Sequence, residues 1–166
     1  MKVPICELCA SSGTLCADCS SKLADGRFTE LDVKISSLLH ELRRSHELEN
    51  AEFTKAIDLG RVVLILTKGD VGVLIGKEGK VVAEISKKVG KKVRIAELTA
   101  DVKKTISDII MPAQLLGINE VYGADGAKSY KVRLPSSEMR RMPIDLNSLE
   151  KALQAVLESD VKIVFD

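Results

Sequence analysis

The stretch Gly72-Val73-Leu74-Ile75-Gly76-Lys77-Glu78-Gly79-Lys80-Val81-Val82-Ala83-Glu84-Ile85 decides the reading of this 166-residue chain. Gly76 and Gly79 bracket two polar residues, and apolar residues recur at helical spacing on both sides. That pattern predicts two short helices joined by a tight loop whose backbone can be approached closely, because glycine carries no Cβ. A nucleic-acid phosphate suits such a loop. The second helix, starting at about Lys80, would aim unpaired N–H groups and its positive dipole end at the phosphate, and Lys77 and Lys80 would add full charges. The bland reading of the same residues is a structural glycine loop between two packed helices.

The flanking sequence favours the first reading. A buried strand pattern, Arg61 to Thr67, precedes the loop, and Lys92 to Glu97 follows its second helix. The order strand, helix, GxxG, helix, strand resembles the KH domain, an RNA-binding module whose GxxG loop clamps about four nucleotides. A helix from Thr29 and a weakly alternating strand around Phe53 and Ile57 come earlier, so residues 29 to 98 have the order of the type II KH fold. The resemblance implies single-stranded RNA held by Gly76, Lys77, Glu78, Gly79 and Lys80. It further implies bases lying against Val73, Ile75, Val82 and the strand of Val93.

Composition agrees with a selective binder. Net charge is +1, too small for a protein that coats nucleic acid indiscriminately. Between Lys68 and Arg94, however, eight basic residues stand against three acidic ones. Aromatics make up 3% and tryptophan is absent, so base stacking on aromatic platforms is excluded as the main mode. Hydrophobic residues at 45% suffice for an aliphatic core, and no run is long enough to span a membrane. The start lacks the apolar stretch of a signal peptide, so a cytoplasmic location is expected. Asn and Gln number five together, a depletion associated with hot environments.

All cysteines lie near the start, as Cys6-x-x-Cys9 and Cys16-x-x-Cys19. In a reducing compartment, paired CxxC knuckles point to a tetrahedral thiolate metal site, most often zinc. A disulfide pair, a redox CxxC and an iron–sulfur cluster are the competing readings. Four cysteines leave no open coordination position, which predicts a structural rather than catalytic role and no enzyme activity. A short helix is expected to begin on the second knuckle, and Asp25-Gly26 ends the module.

Thr29-Glu30-Leu31-Asp32 predicts a capped helix running to about Asn50, with Leu31, Ile35, Leu38, Leu39 and Leu42 on one face. His40 and His46 on it are expected to be ordinary surface or boundary residues.

After Thr99 the same order of elements is written again: a helix stopped by Pro112, a hairpin around Gly123 to Lys128, a helix from Asp145 and a last strand to Phe165. Where the loop should recur the chain reads Ser136-Ser137-Glu138-Met139-Arg140-Arg141-Met142-Pro143, without glycine and with a proline that removes a donor. The Arg140–Arg141 pair reads as a solvated patch, although it could touch an RNA backbone by charge.

The expected fold is α+β: a four-cysteine zinc module over residues 1–26, a type II KH domain over 27–98, and a degenerate KH-like unit over 99–166. This architecture resembles the archaeal NusA-like transcription factors, which implies a role in elongation or termination beside RNA polymerase. A ribosome-associated or ribosome-assembly KH protein is the alternative, and a zinc or redox enzyme a more distant one. No membrane partner is expected.

Overall fold

Cys6 and Cys16 stand at the N-caps of the first two helices, α1 (Glu7–Ser12) and α2 (Ala17–Ala24). In α2 the cap works through sulfur, because Cys16 Sγ accepts from the Cys19 N–H. The helix expected on the second knuckle is therefore present, and one on the first knuckle joins it. The computed structural model describes residues 1–142 and 144–166. Pro143, with the donor loss expected of it, lies outside the described residues. The chain divides into two compact units, Met1–Leu98 and Thr99–Asp166.

In the first unit α3 (Glu30–Leu42) starts on a complete capping box, with the Thr29 hydroxyl accepting from the Asp32 N–H and the Asp32 carboxylate accepting from the Thr29 N–H. The helix ends eight residues before the expected Asn50. Continued at helical spacing, its buried stripe would have placed His46 and Glu49 in the core. The chain turns instead and returns Leu48 and Ala51 to the interior.

Strands β1 (Phe53–Asp58) and β2 (Val62–Thr67) form an antiparallel hairpin, and β3 (Lys92–Glu97) joins β2 in parallel, giving the order β1-β2-β3. Between β2 and β3 lie α4 (Val71–Ile75), a single 3-10 turn at Lys77–Gly79, and α5 (Lys80–Val89). The register of β1 shifts between Phe53 and Lys55, so Ala56 rather than the expected Ile57 shares the buried face with Phe53. A bulge of one residue reverses which side chains face the core.

Ile35, Leu38, Leu39, Leu42, Val63, Ile65, Leu74, Val81 and Ile85 are the aliphatic centre of this unit. Each completely buried leucine there contributes about 2–5 kcal/mol relative to alanine. The cysteine module does not stand apart. Ile5, Cys9, Ala10, Cys19 and Phe28 form a small cluster that also touches Val33 on α3.

The second unit repeats the plan. Helix α6 (Val102–Ile110) precedes β4 (Gly117–Tyr122) and β5 (Lys128–Leu134), and α7 (Leu146–Leu157) precedes β6 (Asp160–Phe165). The order is β4-β5-β6, again antiparallel then parallel. Tyr130, Val132, Leu134, Val161 and Ile163 are buried at alternate strand positions, and Leu149, Ala152 and Leu153 are buried at helical spacing on α7. The mixed α+β fold expected from the sequence is thus the observed one, and the α4–loop–α5 device is replaced by a 3-10 turn at Ser136–Arg140 ahead of α7. Among the described residues no helix is long and apolar enough to cross a membrane.

Asp32 ties the first unit together, since one carboxylate oxygen caps α3 at Thr29 while the other accepts from the Ala56 N–H of β1 at 2.7 Å in a buried position. Asp32→Ala orphans both donors and should destabilise the first unit by about 2–4 kcal/mol, whereas Asp32→Asn, which keeps one acceptor, should destabilise it less. Hydrogen exchange at the Ala56 amide provides the check: its protection should fall in the alanine variant more than in the asparagine one.

Candidate nucleic-acid interface and metal centre

Asp70 begins the interface by capping α4, its carboxylate accepting from the Gly72 N–H at 2.8 Å. α4 then ends at Gly76, whose φ of 78° lies in the region that glycine alone enters freely. Glu78 and Gly79 follow with φ of 56° and 73°, so three of the four loop residues have positive φ. A left-handed glutamate is sterically costly, at about 1–2 kcal/mol.

Gly76 has a second reason to be glycine. A Cβ there would lie 2.4 Å from Val81 Cγ2 and 2.9 Å from the Val81 backbone nitrogen. A Cβ at Gly79 would meet only Val82 Cγ1, at 3.9 Å. Gly76 therefore lets α4 and α5 close on each other, and Gly79 keeps the outer side of the loop open.

The expected clamp of free backbone N–H groups differs from what the loop offers. The Gly76 N–H already donates to the Gly72 carbonyl at 2.9 Å, that of Gly79 to Gly76 at 3.1 Å, and that of Lys80 to Lys77. The loop closes as a 3-10 turn, and those donors are consumed in closing it. What faces solvent is a surface without Cβ atoms at the glycines, flanked by the exposed side chains of Lys77, Glu78 and Lys80. Lys80 Nζ lies 3.9 Å from Glu78 Oε2, an exposed pair too weak to hold either side chain from a ligand.

The expected base-contacting residues separate into two groups. Ile75 is exposed and Val82 half-buried beside the loop, while Val73 and Val93 are half-buried and pack against the core. Elsewhere in the basic stretch, Lys91 is engaged with Asp58 at 2.7 Å, and that ammonium holds the Asp58 carboxyl below its ordinary range. His46, expected to be unremarkable, reaches Glu84 of α5 at 3.2 Å. In the second unit Arg140 and Arg141 are exposed, and Arg141 lies 4.0 Å from Glu138.

The four cysteine sulfurs converge within 4.8 Å of one another. Backbone N–H groups point at three of them: Cys16 donates to Cys9 Sγ at 3.0 Å, Cys19 to Cys16 Sγ at 3.4 Å and Cys6 to Cys19 Sγ at 3.5 Å. Such donors favour the thiolate over the thiol. Without a cation the cluster cannot ionise together. The Cys19 N–H draws the Cys16 thiol down to about 7. The Cys9 thiol is pushed up to about 12, because burial and its thiol neighbours outweigh the Cys16 N–H that lowers it. A divalent cation removes that conflict, and tetrahedral metal–sulfur bonds of about 2.3 Å need sulfurs about 3.8 Å apart. The residues present fit a metal bound by four thiolates.

Residues 43–110 match the family model described as KH domain, from the turn after α3 to the last residue of α6. Over this segment the chain is similar to a KH domain. Two relatives bear the name "Probable transcription termination protein NusA". The one from Methanocaldococcus jannaschii is 47% identical over 55 residues, covering 33% of this chain and 30% of the relative. That from Methanococcus vannielii is 36% identical over 84 residues, covering 51% and 46%. The matched segment thus spans less than half of either relative. A solved structure titled "Crystal structure of APE1850" superposes on 76% of this chain and 96% of its own with a TM-score of 0.53. At 16% identity that likeness speaks for the fold alone.

Sequence reasoning missed the contact between Gly76 and Val81, the N–H···S bonds and the buried Asp32. Only the last had a signal, an acidic residue at the third position of a capping box. The two glycines should respond differently to a methyl group. Gly76→Ala adds a backbone clash to left-handed strain and should lower first-unit stability by about 3 kcal/mol or more. Gly79→Ala carries only the strain, about 1 kcal/mol. Thermal unfolding followed by circular dichroism should rank Gly76→Ala well below Gly79→Ala.

Proposed function

We propose that this chain is a single-stranded RNA-binding protein that serves as a NusA-like transcription elongation or termination factor, with one structural zinc ion on Cys6, Cys9, Cys16 and Cys19. The observation that carries this reading is the left-handed turn at Gly76, Glu78 and Gly79, inside the segment that matches the KH domain. Removing the Cβ atoms lets a strand of RNA lie against the loop, Lys77 and Lys80 supply charge for its phosphates, and Ile75 with Val82 offers an aliphatic surface to its bases. Single strands suit this surface better than duplex, whose bases are already stacked and paired. The transcriptional role draws support from the names of the two relatives, and RNA polymerase is the partner that such a role would require.

Held by Cys6, Cys9, Cys16 and Cys19, zinc would supply the positive charge that lets the four thiols ionise together. The N–H groups of Cys6, Cys16 and Cys19 orient the sulfurs, and α1 and α2 pack their buried residues with Phe28. Because four thiolates close the coordination sphere, the site supports no hydrolytic chemistry.

Lys77→Asp combined with Glu78→Asp tests the RNA site. Aspartate tolerates the left-handed conformation better than most residues, so the turn at residue 78 should persist. Binding to single-stranded RNA, measured by fluorescence anisotropy, should fall at least tenfold with circular dichroism unchanged. Parental affinity in the folded variant would place the RNA elsewhere.

Metal analysis of the purified chain should find one zinc per chain. Chelation should abolish the helical signal of α1 and α2 and also lower the melting temperature of the first unit, since the cysteine cluster shares Val33 with α3. Iron with visible colour, or no metal at all, would defeat the zinc assignment.

A further inference from the structure

The two units repeat one topology but differ on the sheet face turned away from the helices of their core. In the first unit that face carries Leu64, Leu66 and Ala96, all buried. In the second it carries three cross-strand rows: Gly117–Arg133–Val164, Asn119–Lys131–Lys162 and Val121–Ser129–Asp160. The middle row sets two lysines directly side by side, both exposed. Like charges at opposed positions in a sheet repel. Among the described residues neither Lys131 nor Lys162 makes an ion pair, whereas Arg133 in the next row is held by Asp166 at 2.6 Å.

We infer that this open face of β4-β5-β6 is a second contact surface for single-stranded RNA, with Lys131 and Lys162 bridging its phosphates. The inference rests on the proposed RNA-binding function and extends it to the unit that lacks the glycine loop. In these rows the lysines have the short side chains of Asn119 and Ser129 as neighbours, with Gly117 in the next row, and both are exposed. An anion between them converts the repulsion into attraction to a shared phosphate. A protein partner would need an apolar anchor, and the face offers Val121 alone as an exposed large apolar side chain. Sequence alone hid this surface, since Lys131 and Lys162 lie far apart in the chain and become neighbours only through the parallel pairing of β5 with β6.

Two oligouridylates test it on the full chain by anisotropy at several salt concentrations: one of about four nucleotides, the length a KH loop clamps, and one of about 16. Lys131→Ala with Lys162→Ala should leave the short oligomer unaffected. It should weaken the long one roughly tenfold at low salt and flatten its salt dependence by about 1.4 units of slope. Lys131→Arg with Lys162→Arg, which keeps the charge, should retain parental binding. An alanine variant that binds the long oligomer with parental affinity and slope overturns the proposal. So does failure of the arginine variant to match the parent, or preferential displacement of the long RNA from the parent, but not from the alanine variant, by polyglutamate, which would assign the face to an acidic protein. Failure of the parent to bind even the short oligomer would instead remove the loop reading, and this inference with it.

Discussion

The approach of Gly76 to Val81 governs how the loop is built in the first unit of this molecule. A methyl group at residue 76 would sit 2.4 Å from a valine that is itself 2% exposed and held in the core by α3. Val81 belongs to the same close-packed core as the fully buried Ile35, Leu39 and Ile85, which leaves it little room to retreat. The loop can pass over it only without a side chain, and the chain must then turn left-handed through Glu78 and Gly79 to enter α5. The same packing that requires the glycine also projects Lys77 and Glu78 into solvent. Structural and functional readings of the loop are therefore not rivals. A backbone with no Cβ on its inner side can be buried against Val81, and one with no Cβ on its outer side can be reached by a phosphate.

Most of the fold was legible because it follows from short-range rules. The alternation of Tyr130, Val132 and Leu134, the stripe of Ile35, Leu38, Leu39 and Leu42, and aspartate caps at Asp101 and Asp145 each act over a few residues. The misreadings came where a long-range contact overrode the local pattern. Helix α3 stops at Leu42 because Leu48 and Ala51 are drawn back to the core, which no window of sequence around Arg43 announces. The bulge in β1 exchanges Ile57 for Ala56, and the Ala56 N–H then finds Asp32, 24 residues away. At the candidate site the residue types were legible and the donors were not. GxxG marks a loop that can be approached, yet the Gly76, Gly79 and Lys80 amides are bonded within it.

The second unit shows how a repeated fold keeps its topology while changing its surface. Hydrogen bonds from α7 secure the outer strand, with Glu150 accepting from the Ile163 N–H at 2.9 Å and Gln154 donating to the Val161 carbonyl at 3.2 Å. Those groups on β6 would otherwise be open to pairing with another strand, so the side chains of α7 guard the edge. No left-handed loop is needed to maintain this arrangement. Where the first unit has its glycine loop, Ser136–Arg140 forms a 3-10 turn that carries Arg140, with Arg141 as its C-cap.

The cysteine module completes the first unit from the opposite side of α3. Its cluster reaches Val33, while Ile35 and Leu39, on the other side of the same helix, pack in the core that contains Val81 and Ile85. Between the sulfurs and the glycine loop lie α3 and the buried side chains packed on its two sides. The cluster around Cys9 and Cys19 packs on that helix at Val33, on the side away from the main core. The Lys2 pairing with Glu52 fastens the same segment to β1. The cysteine cluster and the exposed Lys77 and Lys80 thus lie on separate surfaces of the first unit, with α3 and its buried core side chains between them.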